Sequence, residues 1–313
     1  MWAMLPAVLM GWSLGTNDAA NVFGLAVGAR AVQYRTAVLL TSAFVLLGAY
    51  FGGARGMATY GALTGHDLAT AFCVALAAGA TVTLMTLFGL PVSATQAAVG
   101  AMIGVALAAG RAVEWGVLVR IVLSWITSPL GCLVLAYLLH RFLGPPLQRR
   151  LAGITAYDAF LRWAIVAVGI GGSYALGANS VANVTGVYVG AGLLSVPAAA
   201  LIGGGSIALG VLTYARKVME TVGERLVYLG LLPALFAAIS QAAILRLFAY
   251  VGVPVSTSQA VVGAVVGIGL VKGVSAVNAR QLGAIFVGWA LTPPVAGVVG
   301  FVLWLALGSV LPA

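Results

Sequence analysis

Ten apolar runs, each close to the length that crosses a bilayer, follow one another along this chain of 313 residues. They lie at 3–28, 36–54, 68–88, 89–110, 113–139, 160–191, 197–215, 226–249, 251–271 and 281–310. A helix needs about 20 mostly apolar residues to cross the hydrocarbon core, so the runs leave no room for a soluble domain beside them. Charged residues make up only 7% of the chain, against roughly 25% in soluble proteins, too few to cover a wetted surface. The 42 glycines suit close helix packing and broken helices in lipid; the segments between them are too apolar for disorder. The expected fold class is an all-α polytopic membrane protein with about ten spans. Apolar from Met1, the first run lacks the basic start of a signal peptide and is expected to remain as a span.

The chain repeats itself. GTNDAANVFG at Gly15 returns as GANSVANVTG at Gly177, an offset of 162. GLPVSATQAAVGAMIGVAL at Gly89 returns as GVPVSTSQAVVGAVVGIGL at Gly252, an offset of 163. Trp125 and Pro129 return as Trp289 and Pro293, an offset of 164. Three landmarks in one order at nearly one offset mark a duplication. The expected organisation is a first membrane repeat at 1–139, a linker at 140–159 rich in Arg and Pro, and a second repeat at 160–313. Five runs per half is an odd number, which turns the second half over relative to the first.

Loop charge fixes the expected orientation. With the N-terminus outside, one face receives the basic residues near 30–35, 141–162, 216–225 and 272–280, and the other receives Arg55 and Arg111. The rich face is expected to be cytoplasmic, with both termini outside and the protein in the inner (plasma) membrane. The net charge of +9 then reflects loop Arg and Lys, not a nucleic-acid surface. Cys73 and Cys132 lie in apolar runs and read as packing residues; no His, Cys or carboxylate cluster has metal-ligand spacing.

Two constellations carry chemistry. Asn17, Asp18 and Asn21 sit inside the first run, with Asn179, Ser180 and Asn183 at the matching place in the sixth. A carboxylate in hydrocarbon is costly unless it faces a partner or a cavity, and Asp18 is the only acidic residue deep in a run. Amide oxygens at helical three- and four-residue spacing share its helix face. Together they offer a hard oxygen site for a cation such as Na⁺, or a proton acceptor. The plainer reading is polar glue between helices. The second constellation is Ser93, Thr95 and Gln96, matched by Ser256, Thr257, Ser258 and Gln259. Each set follows Gly-x-Pro and precedes a small-residue helix. Proline suits the first helical turn and Ser or Thr caps it, so each segment is expected to be broken or re-entrant, with a helix N-terminus inside the membrane. Such a terminus suits a tetrahedral oxyanion. Packing alone is the plainer reading here too. Trp125 and Trp289 read as packing anchors and Pro129 and Pro293 as kinks. His66 and Asp67 read as solvated, Glu114 and Arg120 as an ion pair, and 216–225 as a mixed-charge loop.

These motifs resemble the duplicated G-A-N-D-x-A-N signature and the G-x-P-V-S-[ST]-[ST] segments of the inorganic phosphate transporter (PiT) family, over nearly the whole chain. The resemblance implies an inverted-repeat secondary transporter, usually a homodimer in the lipid bilayer, carrying phosphate with Na⁺ or H⁺. By position it places Asn17, Asp18, Asn179 and Ser180 at the cation and substrate centre, with Na⁺ at Asp18, Asn17 and Asn179, and it gives the anion to the Ser/Thr/Gln set. No enzyme activity and no resident cofactor are expected. Three positions depart from the family pattern: Ser180 stands where a second Asp is usual, Ala94 where the other half has Thr257, and Gln96 and Gln259 where many members have His. Some relatives carry sulfate, so a sulfate permease is the alternative. A passive channel would call for rings of charge, and an intramembrane enzyme for a nucleophile with a base or metal; the sequence has neither.

Overall fold

A computed structural model describes residues 2–87, 92–150, 154–225, 230–272 and 279–311. After a 3₁₀ turn at Trp2–Met4 come α1 (Leu5–Gly28), α2 (Tyr34–Gly52), α3 (Ala54–Gly61), α4 (Leu68–Leu87), α5 (Ala94–Ala108) and α6 (Trp115–Leu138). A π-helical turn at Leu139–Leu143 leads into α7 (Gly144–Arg150). The remainder is α8 (Ile154–Gly190), α9 (Val196–Arg225), α10 (Leu231–Val251), α11 (Thr257–Lys272) and α12 (Ala279–Leu307). Helices dominate because lipid offers no partner for a free N–H or C=O. Among the described residues the one β-pairing is a bridge between Thr64 and Val113, in loops.

Among the described residues seven helical segments are long and apolar enough to cross a membrane, and large apolar side chains such as Leu39, Phe51, Ile126, Phe286 and Leu305 face outward. This is a multi-pass membrane protein. The runs at 89–110 and 251–271 are different. Their helices, α5 and α11, have 15 and 16 residues; at about 1.5 Å per residue they fall short of a bilayer core of about 30 Å.

Contacts at the helix ends define two faces. At one, the Tyr188 hydroxyl donates to Ala3 O (3.0 Å). At the other, Arg162 Nη1 donates to Arg30 O (2.5 Å). The helices that carry the matched Asn-rich segments, α1 and α8, therefore run antiparallel. The α4–α5 segment begins and ends on the first face. Asp67 before α4 pairs with Arg111 after α5, and Glu114 N donates to Leu63 O (2.9 Å). It is a helical hairpin that enters and leaves on one face. The start of α10 lies at the second face, where Phe236 meets His140. There α11 runs alongside α6, with Gly263 against Pro129 and Gly267 against Leu133.

Several local expectations change. Asp67 and Arg111 form the only ion pair among the described residues; Glu114 and Arg120 do not pair, and Arg120 Nε donates to Gly116 O instead (3.4 Å). His66 and Asp67 are half-buried, not freely solvated. Burial pushes the His66 imidazole down to about 4, so it is neutral near pH 7. Burial alone would raise the Asp67 carboxyl, but the Thr70 N–H and hydroxyl and the Arg111 guanidinium outweigh it and hold it below the usual range. Residues 216–225 continue the α9 helix instead of forming a loop; their side chains lie outside the described residues, as do Gly89, Leu90 and Pro91. Residues 140–150 are helical and continue α6 through the π-turn, with Pro145 and Pro146 just after it.

The two halves interlock by exchange. Gly100 on α5 lies against the carbonyl of Pro293 on α12, and Gly263 on α11 against that of Pro129 on α6. Gly15 on α1 meets Ile207 on α9, and Gly177 on α8 meets Val45 on α2. Replacing each residue by its counterpart in the other repeat converts the first contact of each pair into the second, the reciprocity of an isologous interface. A methyl group at any of these glycines would overlap a backbone oxygen. Gly100→Ala and Gly263→Ala should each lower stability by about 1–3 kcal/mol through overpacking, read as a lower thermal midpoint in detergent. Gly65→Ala, with nothing within 4 Å of the added carbon, should leave it unchanged.

Candidate substrate and cation site

The starts of α5 and α11 meet. Ser93 takes extended backbone angles as the N-cap of α5, and its Oγ accepts from Gln96 N (3.3 Å). Ser256 does the same for α11, accepting from Gln259 N (3.3 Å). Ser93 Oγ then donates to Ser256 Oγ at 2.9 Å, so one hydrogen bond joins the two caps. Thr95 Oγ1 donates across to Val255 O (3.1 Å), and its counterpart Ser258 Oγ donates to Val92 O (3.4 Å). Two helix N-termini, each with N–H groups that lack an intrahelical acceptor, thus face one another deep in the protein.

The middles of α1 and α8 close around them. Asn179 clamps the loop before α11, donating to Val255 O (2.8 Å) and accepting from Val255 N (2.9 Å). Asn179 Nδ2 also approaches Ser180 Oγ (3.4 Å). Asn183 Nδ2 donates to Thr95 Oγ1 (3.3 Å). On the α1 side, Asn21 Nδ2 donates to Asp18 Oδ1 and to Thr257 Oγ1, both at 3.4 Å. The Asn21 amide thus links the Asp18 carboxylate to the Thr257 hydroxyl. Asp18, Ser180, Asn179, Asn183 and Asn21 are all buried. Asn17 is only half-buried and turns away, donating to Thr86 Oγ1 on α4 (3.2 Å).

The pseudo-equivalent halves of this site differ. Asp18 and Thr257 occupy one position; their counterparts in the other repeat are Ser180 and Ala94. At these positions the other pair has neither the carboxylate nor the threonine hydroxyl.

Gln96 and Gln259 bond the caps only through their backbone. Their side chains line a cavity of about 470 Å³ between α6 and α12, with Trp125, Trp289, Pro129 and Phe286. The two constellations therefore open to opposite sides of the paired N-termini: Asn and Asp towards α1 and α8, the glutamines towards α6 and α12.

Sequence reasoning missed two members. Tyr60 on α3 is fully buried and donates to Asn183 Oδ1 (2.5 Å). It lies between two apolar runs, where no periodic signal marks it. Gln241 on α10 donates to Thr257 O (3.5 Å); an amide in the middle of an apolar run is a signal that could have found it.

A model of the phosphate transporter family matches residues 14–152 and 148–300. The chain belongs to the phosphate transporter family. Among its relatives is a proposed phosphate permease of Pyrococcus furiosus, 31% identical, with 95% of this chain and 93% of that protein covered. The sulfate permease CysP of Bacillus subtilis is 27% identical, covering 86% of this chain and 77% of that protein. A solved structure described as the sodium-dependent phosphate transporter superposes with a TM-score of 0.91 at 26% identity, over 99% of this chain and 98% of that one.

Tyr60 supplies a test of the network. Tyr60→Phe keeps the ring and leaves Asn183 Oδ1 without its buried donor, which costs about 1–3 kcal/mol. The thermal midpoint in detergent should fall, and Asn183→Ala placed on top of it should add less than it does alone.

Proposed function

We propose that this protein takes up inorganic phosphate by symport with a cation, Na⁺ or H⁺, as an inverted-repeat secondary transporter. The observation that carries the reading is the direct bond between two serine-capped helix N-termini beside one buried carboxylate. The paired termini, Ser93, Thr95, Ser256, Thr257 and Ser258, offer donors to an oxyanion; Asp18, Asn21 and the Thr257 hydroxyl offer oxygens to a hard cation. Asn179 orders the loop between them. Moving a dianion into a cell works against the membrane potential at about 2.3 kcal/mol per charge per 100 mV, and a co-transported cation removes that opposition. The antiparallel run of α1 and α8 supports inversion of the second repeat (160–313) on the first (1–139), about an axis in the membrane plane. Positive charge near the face of Arg30, Arg141 and Arg162 supports a cytoplasmic 140–159 linker and both termini outside. The same reading includes a homodimer in the inner membrane.

Sulfate is the second reading. Hydrogen phosphate can donate a hydrogen bond and sulfate cannot, so a phosphate site gains from acceptors. Loss of the second carboxylate at Ser180 removes one, and a sulfate permease stands among the relatives. Uptake of radiolabelled phosphate and sulfate into proteoliposomes, under Na⁺ and pH gradients imposed in turn, tests both readings. Asp18→Asn should fold normally and lose gradient-driven accumulation. Ser180→Asp should steepen cation dependence and shift preference towards phosphate. Full concentrative uptake by Asp18→Asn would rule out this residue as the coupling site.

A further inference from the structure

We infer that the guanidinium groups of Arg55 and Arg246 bind the phosphate of an anionic membrane phospholipid, on the lipid-facing wall where α3, α8 and α10 meet. This surface lies outside the transport centre, and the inference does not depend on which ion is carried. Both side chains are exposed. Each lies over an aromatic ring, Arg55 at 4.4 Å from the Tyr250 ring centre and Arg246 at 4.6 Å from that of Tyr174. Arg246 and Tyr250 stand one turn apart on α10, so the two stacks are neighbours. Neither guanidinium meets a carboxylate among the described residues, where the one ion pair is Asp67 with Arg111. Arg55 Nη1 donates to Tyr250 O, and Arg246 makes no hydrogen bond among the described residues. A guanidinium carries five N–H donors, so most of the pair's donors remain free.

The cluster lies within the membrane. Arg55 is six residues from Gly61, which packs on Gly190 at the end of α8, or about 9 Å along the helix. Tyr174 is twelve residues from Arg162, whose bond to Arg30 marks the opposite face, or about 18 Å into a core of about 30 Å. A charge at such depth is costly unless it finds a partner. On a lipid-facing wall the strongest acceptor within reach is a lipid phosphate, towards which long basic side chains extend. The arginine fork matches a phosphate through two parallel hydrogen bonds. The flanks suit the rest of a lipid, with Phe51, Leu247 and Val251 70%, 54% and 61% exposed. Free phosphate would lose hydration against these side chains and gain nothing from them. A second copy of the same face would bring like charges together with no described carboxylate between them. A headgroup with net negative charge is favoured over one that carries its own cation, which the guanidiniums would repel.

The bound lipid would also brace the transport centre. Thr59, one turn from Arg55, donates to Gly252 O (2.5 Å), and a side chain on Gly252, at φ 85°, would strike Arg55. Gly252 closes α10 four residues before Ser256, the cap of α11. A phosphate held by Arg55 and Arg246 thus steadies the turn that presents Ser256.

Native mass spectrometry of the full chain in detergent, titrated with phosphatidylglycerol or with phosphatidylcholine of the same acyl chains, reads the binding. The wild type should hold phosphatidylglycerol more tightly, and its thermal midpoint should rise with that lipid alone. Arg246→Gln alters an exposed side chain that no hydrogen bond ties down, so it should fold. Its binding of phosphatidylglycerol should weaken about tenfold, as for the loss of a hydrogen bond to a charged partner, and the rise in midpoint should shrink with it. Arg246→Lys, with the charge but no fork, should fall between. Arg120→Gln, at an exposed arginine on α6, is the control and should match the wild type. Equal binding of the two lipids by the wild type, unchanged binding in Arg246→Gln, or an equal loss in Arg120→Gln overturns the inference. So does stabilisation by inorganic phosphate without lipid that Arg246→Gln abolishes, which would give the site to the free ion. A dimer that Arg246→Gln dissociates, with lipid binding unchanged, would give the face to a second copy and overturn it as well.

Discussion

Two helix N-termini face each other inside the membrane, and much of the molecule is arranged to make that tolerable. Each terminus carries roughly half a positive charge and several N–H groups without acceptors. In water such a pair would be solvated; in hydrocarbon each unpaired group is costly. The bond from Ser93 to Ser256 joins the two caps, but it neutralises nothing. Around them α1 and α8 bring polar groups to the same depth: the Asp18 carboxylate, the Asn179 oxygen that accepts from Val255 N, and the Asn183 amide that donates to Thr95.

The exchange of contacts between halves explains how such a centre is held. Neither short helix is braced by its own half alone: α5 lies on α12 and α11 on α6. Glycine at the crossing points brings backbones together where the hydrophobic effect gives no preference between helix and lipid, so close packing supplies much of the attraction. A change in how one half sits on the other would alter both hairpin tips together, because each tip is gripped from across the interface.

Much of this was legible in the residues. The apolar runs foretold helices, the nearly constant repeat offset foretold the matched contacts, and Gly-x-Pro with a following Ser foretold the broken segments. The side to which each polar residue turns was hidden. Gln96 and Ser93 belong to one short motif, yet the serine joins the centre and the glutamine side chain lines the opposite cavity. Asn17 and Asn179 match in sequence, but only Asn179 clamps the hairpin loop. Such differences depend on helix rotation set by tertiary packing. Tyr60 entered from a short helix that no pattern announced.

The asymmetry is the most informative departure. Asp18 of the first repeat stands with Thr257 of the second, and the counterpart pair is Ser180 with Ala94, so the carboxylate and the threonine hydroxyl are absent together there. The centre therefore has one intramembrane acidic residue where a symmetric duplication would have two, and cation dependence should rest on that one residue. Equilibrium binding of radiolabelled phosphate to the purified protein tests this most directly, measured against rising Na⁺ and falling pH. The expected result is one saturable anion per chain, with affinity that rises with one cation species and with no such rise in Asp18→Asn. Saturable binding that ignores both cations, or keeps the same cation dependence without the carboxylate, would contradict it.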